Sequence, residues 1–207
     1  IVERDRSVIV RAPIGTSEDY IQQVVQQKER LIQKKIDHNQ KYPFERATKD
    51  FVSGESLLYL GQSYQLLVAN SAQEGVIFDN SFLIGNCSSD EANASLKQWY
   101  LDAAEKIVVP MAKAVADRIG VAYNSINILD LKYRWGSCTP KDNIHLNWRL
   151  IKAPVTVIEY VIVHELTHLL EANHTVEFWN RVTAQLPDYG KAKLWLRENG
   201  HELEADF

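Results

Sequence analysis

The chain has 207 residues, a formal net charge of −4 and 45% hydrophobic residues. This is enough for one sizeable core, or for a small module beside a catalytic domain, and the acidic balance gives no strong nucleic-acid signal. Two widely spaced cysteines, Cys87 and Cys138, exclude a disulfide scaffold, and no apolar run is long enough to span a membrane.

The cysteine usage suits a reducing compartment, so a cytoplasmic location is expected; the first residues carry no basic-then-apolar leader, and because the chain opens on Ile1 a few native residues are expected to precede it. Ser7 to Ala12 alternates as a half-buried strand does, until Pro13 and Gly15 break it. Thr16 or Ser17 can cap a helix running to about His38, with Tyr20, Ile21, Val24, Val25, Leu31, Ile32 and Ile36 as its apolar stripe and Tyr42-Pro43 as its stop. Ser56–Leu60 and Tyr64–Val68 flank Gly61-Gln62, and Val76–Phe78 and Phe82–Ile84 flank Asp79-Asn80, which predicts two hairpins.

A composition shift follows. Ser88 to Glu91 starts a helix that runs to Arg118 before Gly120, with a kink or break expected at Pro110. Strands are predicted over 125–133 and 143–150, with Trp135-Gly136-Ser137-Cys138 interrupting the sheet between them. Pro154 opens a helix that is apolar around much of its circumference and should be buried. Two shorter helices follow, capped by Thr175 and by Asp188, with Gly200 closing the last. The fold class is α+β, organised as a small α/β module over 1–86 and a catalytic domain over 87–207.

The buried helix carries His164-Glu165-Leu166-Thr167-His168, an HExxH motif. Histidines at i and i+4 share one helix face, so their imidazoles can meet one zinc ion at about 2.0–2.1 Å. Glu165 stands one position round, beside the metal without ligating it, where it can take a proton from an activated water. A catalytic zinc needs a third protein ligand and an open fourth position. On an unbroken helix His174 would lie about 9 Å beyond His168, out of reach. The helix must therefore end between them, with Asn173 as the left-handed turning residue. Glu177 is a weaker third ligand. One zinc per chain is expected.

Arg134, Trp135 and Gly136 are candidate substrate-binding residues, as a cleft wall or edge strand that pairs with an extended peptide. The alternative is a Trp packed at a turn that Gly permits. Lys132, Arg134, Lys141, Arg149 and Lys152 form a basic cluster in sequence, read either as a solvated sheet face or as a grip on carboxylates or phosphates. Trp148 and Trp179 are assigned to the core.

RWGSC (134–138), NIHLNWRLIKAP (143–154), VIVHELTHLLEANHTVEFW (161–179) and PDYGKAKLWLRENG (187–200) together resemble the YgjP-like branch of SprT-like zinc metallopeptidases. YLGQSYQLLV (59–68) follows the family's order more loosely. The resemblance implies a zincin-like, minigluzincin-like catalytic core, with His164, His168 and His174 on zinc and Glu165 as the base. The HExxH-to-His spacing is also that of metzincins, but Glu171 stands at their Gly position and the single methionine is Met111. The leading function is a metallopeptidase acting on peptides or unfolded protein. The alternatives are a metal-dependent hydrolase of a non-peptide bond, such as a nucleoside triphosphate phosphoanhydride, and a non-enzymatic adaptor that keeps zinc for stability.

Overall fold

The computed structural model describes residues 2, 7–41, 50–69, 75–132 and 134–204. By contacts the chain divides into two units, Ile1–Ala47 and Thr48–Phe207. A boundary at 86/87, as composition suggests, instead separates a sheet from the helix it packs on.

In the first unit α1 spans Glu18–Lys41, with Glu18 and Asp19 in its first turn. The backbone N–H of Tyr20 donates to Ser17 Oγ at 3.4 Å, which identifies the capping residue. Ile21, Val24, Val25, Ile32 and Ile36 are half-buried, whereas Tyr20 and Leu31 are 60% and 61% exposed, so the stripe is narrower than expected. The expected stop at Tyr42-Pro43 lies outside the described residues. The strand expected over 7–12 does not form. Within it Val8 makes an isolated antiparallel bridge to Val2, and Val8, Ile9 and Val10 stay exposed, so the alternation has no buried face to serve.

The second unit opens with β1 (Ser56–Tyr59), β2 (Gln62–Ala69), β3 (Val76–Phe78) and β4 (Phe82–Gly85), in the order β1-β2-β4-β3. Both hairpins are present. They are joined by a parallel pairing of β2 with β4, which turn residues cannot encode because they specify only local reversals. The first turn sits at Leu60-Gly61, with φ of 48° and 78°, one residue earlier than expected and of the doubly left-handed kind that matches strand twist. The N–H groups of Leu60 and Gly61 donate to the carbonyls of Ile151 and Lys152 at 2.9 and 3.0 Å. A Cβ at Gly61 would come within 2.8 Å of Pro154 Cα. This hairpin tip is therefore pinned to the residues that lead into the HExxH helix.

Helix α2 (Ser89–Ile119) begins with a reciprocal capping box between Ser88 and Glu91 and ends at Gly120. It runs through Pro110 without the expected break. Ala103, Ala104, Val108, Ala112, Val115 and Ala116 are buried on both sides of that proline, so packing holds the helix where one backbone donor is missing.

The second sheet comprises β5 (Ser125–Leu129), β6 (Gly136–Cys138) and β7 (Asn143–Asn147), in the order β5-β7-β6, with β5 parallel and β6 antiparallel to β7. Three expectations are corrected here. The first strand stops at Leu129, and Tyr133 lies outside the described residues. The segment expected to interrupt the sheet is itself the outer strand β6. The strand expected to reach Leu150 ends at Asn147 and passes into a 3₁₀ turn, Trp148–Lys152. Asn147 accounts for this ending. Its Oδ1 accepts the Arg149 N–H at 3.1 Å, while its Nδ2 donates to the carbonyls of Leu131 and Arg134 at 2.7 and 3.0 Å. One side chain thus ends β7, caps the turn and holds the loop ahead of β6.

Helix α3 (Val155–Thr167) follows Pro154 and buries Val157, Ile158, Val161, Ile162, Val163 and Leu166. Helix α4 (Val176–Gln185) is capped as expected by Thr175, whose Oγ accepts the Phe178 N–H at 3.2 Å. Helix α5 (Tyr189–Glu204) begins after Asp188 and continues through Gly200, which corrects the expected stop there. Gly200 is buried because the Trp135 ring lies against it; a Cβ would be 3.3 Å from that ring. Among the described residues no helix is long and apolar enough to cross a membrane.

Candidate active site

Helix α3 ends at Thr167, and His168 is its C-terminal cap. The chain thus leaves the helical path early enough for His174 to return. Asn173 is not among the described residues with positive φ, so the turn is made without the expected left-handed residue. The return places one ring nitrogen from each of His164, His168 and His174 within 4.8 Å of one another. His174 Nε2 lies 2.9 Å from His164 Nε2. His168 Nδ1 is 3.2 Å from the Glu171 carbonyl, a contact that puts the proton on Nδ1 and leaves the Nε2 lone pair for a ligand. Glu177 is engaged with Arg181 at 3.3 Å and is not part of this set.

The electrostatics suit a cation. Burial, assisted by His168, His174 and Lys193, pushes His164 down to about 3. Burial and then His168 and Lys193 lower His174 as well. Neutral imidazoles present lone pairs. His164 Nδ1 is buried with no hydrogen-bond partner, an unfavourable state for a ring whose other nitrogen faces a second imidazole. The nitrogens that face one another are His164 Nε2 and His174 Nε2, 2.9 Å apart, and a cation between them and His168 would take up their lone pairs, so the donor set fits a metal ion.

Glu165 is 7% exposed. Burial raises its carboxyl to about 7, against the opposing effects of the Cys138 backbone N–H and Arg134. A carboxyl near neutrality can both take and return a proton at physiological pH. Its side chain lies on Gly136, where a Cβ would be 2.6 Å from Glu165 Cγ. Both residues line a cavity of about 600 Å³, together with Ser137–Pro140, Asp142, Ala172 and the three histidines.

The three candidate substrate-binding residues part company. Gly136 is in the cavity wall. Trp135 turns its ring to Gly200 and its carbonyl to the Asn147 N–H at 2.8 Å. Arg134 is exposed and reaches the site through its field on Glu165. The basic cluster is also dispersed, and neither expected reading covers all of it. Arg149 is buried against Asp130, and Lys152 is buried over the Tyr100 and Trp148 rings at 5.5 and 5.0 Å. Among the described residues no Lys or Arg lines the cavity. Cys138 does line it, with its Sγ directed at the Thr139 carbonyl at 3.7 Å.

Residues 1–199 match the family model of the YgjP-like metallopeptidase domain. The chain belongs to the YgjP-like metallopeptidase family. It is therefore a hydrolase of the metallopeptidase kind, and the family implies a metal ion that the His164–His168–His174 triad of this YgjP-like domain could hold. The metallopeptidase zymogen jannalysin of Methanocaldococcus jannaschii is 17% identical over 44% of this chain and 95% of its own, with a TM-score of 0.41. The zymogen abylysin of Pyrococcus abyssi is 21% identical over 49% of this chain and 99% of its own, with a TM-score of 0.42. A search of curated proteins returned no match.

The sequence reading missed the aromatic wall of the YgjP-like site. The Phe178 ring lies 4.7 Å from both His168 and His174, and Trp179, assigned to the core, is stacked on His174. The available signal was their place three and four residues after Thr175, in the first turn of a helix whose cap directly follows His174.

Proposed function

We propose that the protein is a zinc metallopeptidase that cleaves extended peptides or unfolded protein, with zinc on His164, His168 and His174 and with Glu165 as the general base. The observation that carries this reading is the buried Glu165 carboxyl, raised towards neutrality, in the wall of the cavity onto which the three imidazoles converge. Bound zinc would supply Lewis acidity towards a water and a peptide carbonyl.

Glu165 accepts the proton of the attacking water as its oxygen adds to the scissile carbonyl. The carbon–nitrogen bond then breaks, and Glu165 returns the proton to the leaving amine. Substrate orientation falls to β6. It is the outer strand of its sheet, it lies in the cavity wall, and an extended peptide can add to such an edge through backbone hydrogen bonds. The Cys138 N–H is already committed to Glu165, which ties the base to that strand. Hydrolysis of a nucleoside triphosphate lacks comparable support, because among the described residues no Lys or Arg lines the cavity.

The test is a difference assay. Zinc-loaded wild type and Glu165→Gln are each incubated with unfolded protein and nucleoside triphosphates, and all products are read by mass spectrometry. New peptide termini with wild type, reduced at least about 100-fold in the variant, are expected. Nucleoside monophosphate and pyrophosphate in their place would refute the peptide assignment, and a fully active Glu165→Gln would refute the base.

A further inference from the structure

His174 has the weakest scaffold of the three histidines. His164 lies within α3 and His168 caps it, whereas His174 is exposed in the link between α3 and α4. Its local backbone support is a bond from the Thr175 N–H to the Asn173 carbonyl at 2.8 Å. An imidazole on such a link must be oriented by its surroundings, or metal binding bears the entropy of ordering it.

We infer that Trp179 is a positioning residue for His174, acting through a stacked ladder of rings that links α4 and α5 back to α3. The Trp179 and His174 rings lie 5.7 Å apart at 23°. Trp179 is in turn stacked on Tyr189 of α5 at 5.3 Å and 16°, and Tyr189 on Tyr160 of α3 at 6.1 Å and 18°. Tyr160 meets His164 edge-on at 6.0 Å and 62°. The ladder begins on the ligand in the link and returns to the ligand in α3, so three helices fix the plane of His174 relative to His164. Lys193 Nζ sits 4.0 Å from the Trp179 ring centroid and adds a cation–π hold on the same indole. Offset stacking at these separations favours one ring orientation over others, which an aliphatic side chain of equal bulk cannot do.

The inference rests on His174 being a ligand, as proposed above. The experiment measures the zinc dissociation constant of the full chain by competition with a chromophoric chelator. The variants are His174→Ala, Trp179→Ala, Trp179→Phe and the double variant His174→Ala/Trp179→Ala. Losing an outer-shell partner of a metal ligand weakens binding about 10- to 100-fold, and that loss is expected for Trp179→Ala. Trp179→Phe, which keeps a ring face, should recover most of it. The double variant should bind no more weakly than His174→Ala alone, because Trp179 then has no ligand to orient.

Trp179→Leu keeps apolar bulk without a ring face and carries the same comparison if the alanine variant does not fold. Zinc affinity within twofold of wild type in Trp179→Ala or Trp179→Leu overturns the inference, as do losses that multiply in the double variant. If His174→Ala itself leaves affinity unchanged, the ligand set fails and this inference fails with it.

Discussion

Two carboxylates of the second unit are treated in opposite ways. Glu165, on α3, is deeply buried, with no cation bonded to it among the described residues, and its carboxyl rises to about 7. Asp130 follows β5 and accepts from both Arg149 and Lys97. Burial opposes its ionisation, but the hydrogen bonds and charges of Arg149 and Lys97 prevail and hold it near 2. A carboxylate with two cations is locked in one protonation state and serves structure. One with a single backbone N–H and a distant arginine can change state and serve proton transfer. The difference lies in the neighbours each chain segment supplies: Asp130 meets the 3₁₀ turn at Arg149, whereas Glu165 meets the glycine of β6.

The largest effect expected from disturbing this contrast is at Gly136. A methyl group there would sit 2.6 Å from Glu165 Cγ and 2.9 Å from its Oε1, so the carboxylate must move. Gly136→Ala should cut turnover by up to about 100-fold, the cost of misplacing a reacting group by about an ångström, while zinc stoichiometry stays at the wild-type value. Steady-state kinetics beside metal analysis would check this. Wild-type turnover in the variant would show that Glu165 does not depend on the glycine.

Asp130→Asn should act on stability alone. Arg149 would keep its buried place and lose the charge of Asp130, at a cost of about 1 kcal/mol once solvent screening of the half-exposed carboxylate is allowed for. The pH dependence follows from the lowered pKa. Asp130 titrates near 2 folded and near 3.8 unfolded, so its contribution is complete above about pH 4 and disappears as pH falls through about 2. The gap in melting temperature between wild type and Asp130→Asn should be constant from pH 6 to pH 4 and close by pH 2, as scanning calorimetry would show. A gap that persists unchanged at pH 2 would mean that the ion pair is not its source.

How much of this was legible in the sequence follows from the range of each signal. HExxH is a statement about one helix, and the i,i+4 rule places two imidazoles together without tertiary information. Local punctuation likewise marks Ser88, Gly120 and Thr175 as helix ends, and both hairpins. The parallel pairings of β2 with β4 and β5 with β7 join segments that no turn connects, and local pattern is silent on them. Asn147 belongs to an alternating run that reads as continuous strand until its amide is seen bonding to Leu131, Arg134 and Arg149. Trp179 has the composition of a core residue, and only the return of His174 gives it an imidazole to stack on. Gly200 reads as a helix stop because its neighbour in space, Trp135, is 65 positions away in sequence.

The smallest expected effect lies at Lys97, and it sharpens the account of Asp130. Lys97 and Arg149 both bond to that carboxylate, but their side chains are 44% and 10% exposed. If Asp130 matters because it neutralises a desolvated guanidinium, the outer lysine should matter little. Lys97→Met keeps most of the aliphatic stem and removes the charge, so it should cost about 0.5 kcal/mol or less, the usual worth of an exposed ion pair. Salt separates the two contributions. At about 1 M the Debye length falls to about 3 Å, and exposed pairs are largely screened while buried ones are not. Denaturation of wild type, Lys97→Met and Asp130→Asn at low and high salt should show the Lys97 effect vanish and the Asp130 effect persist in part. Equal losses for the two variants, both abolished by salt, would show that the pairing acts as surface charge, and the contrast with Glu165 would then reduce to a difference in solvent exposure.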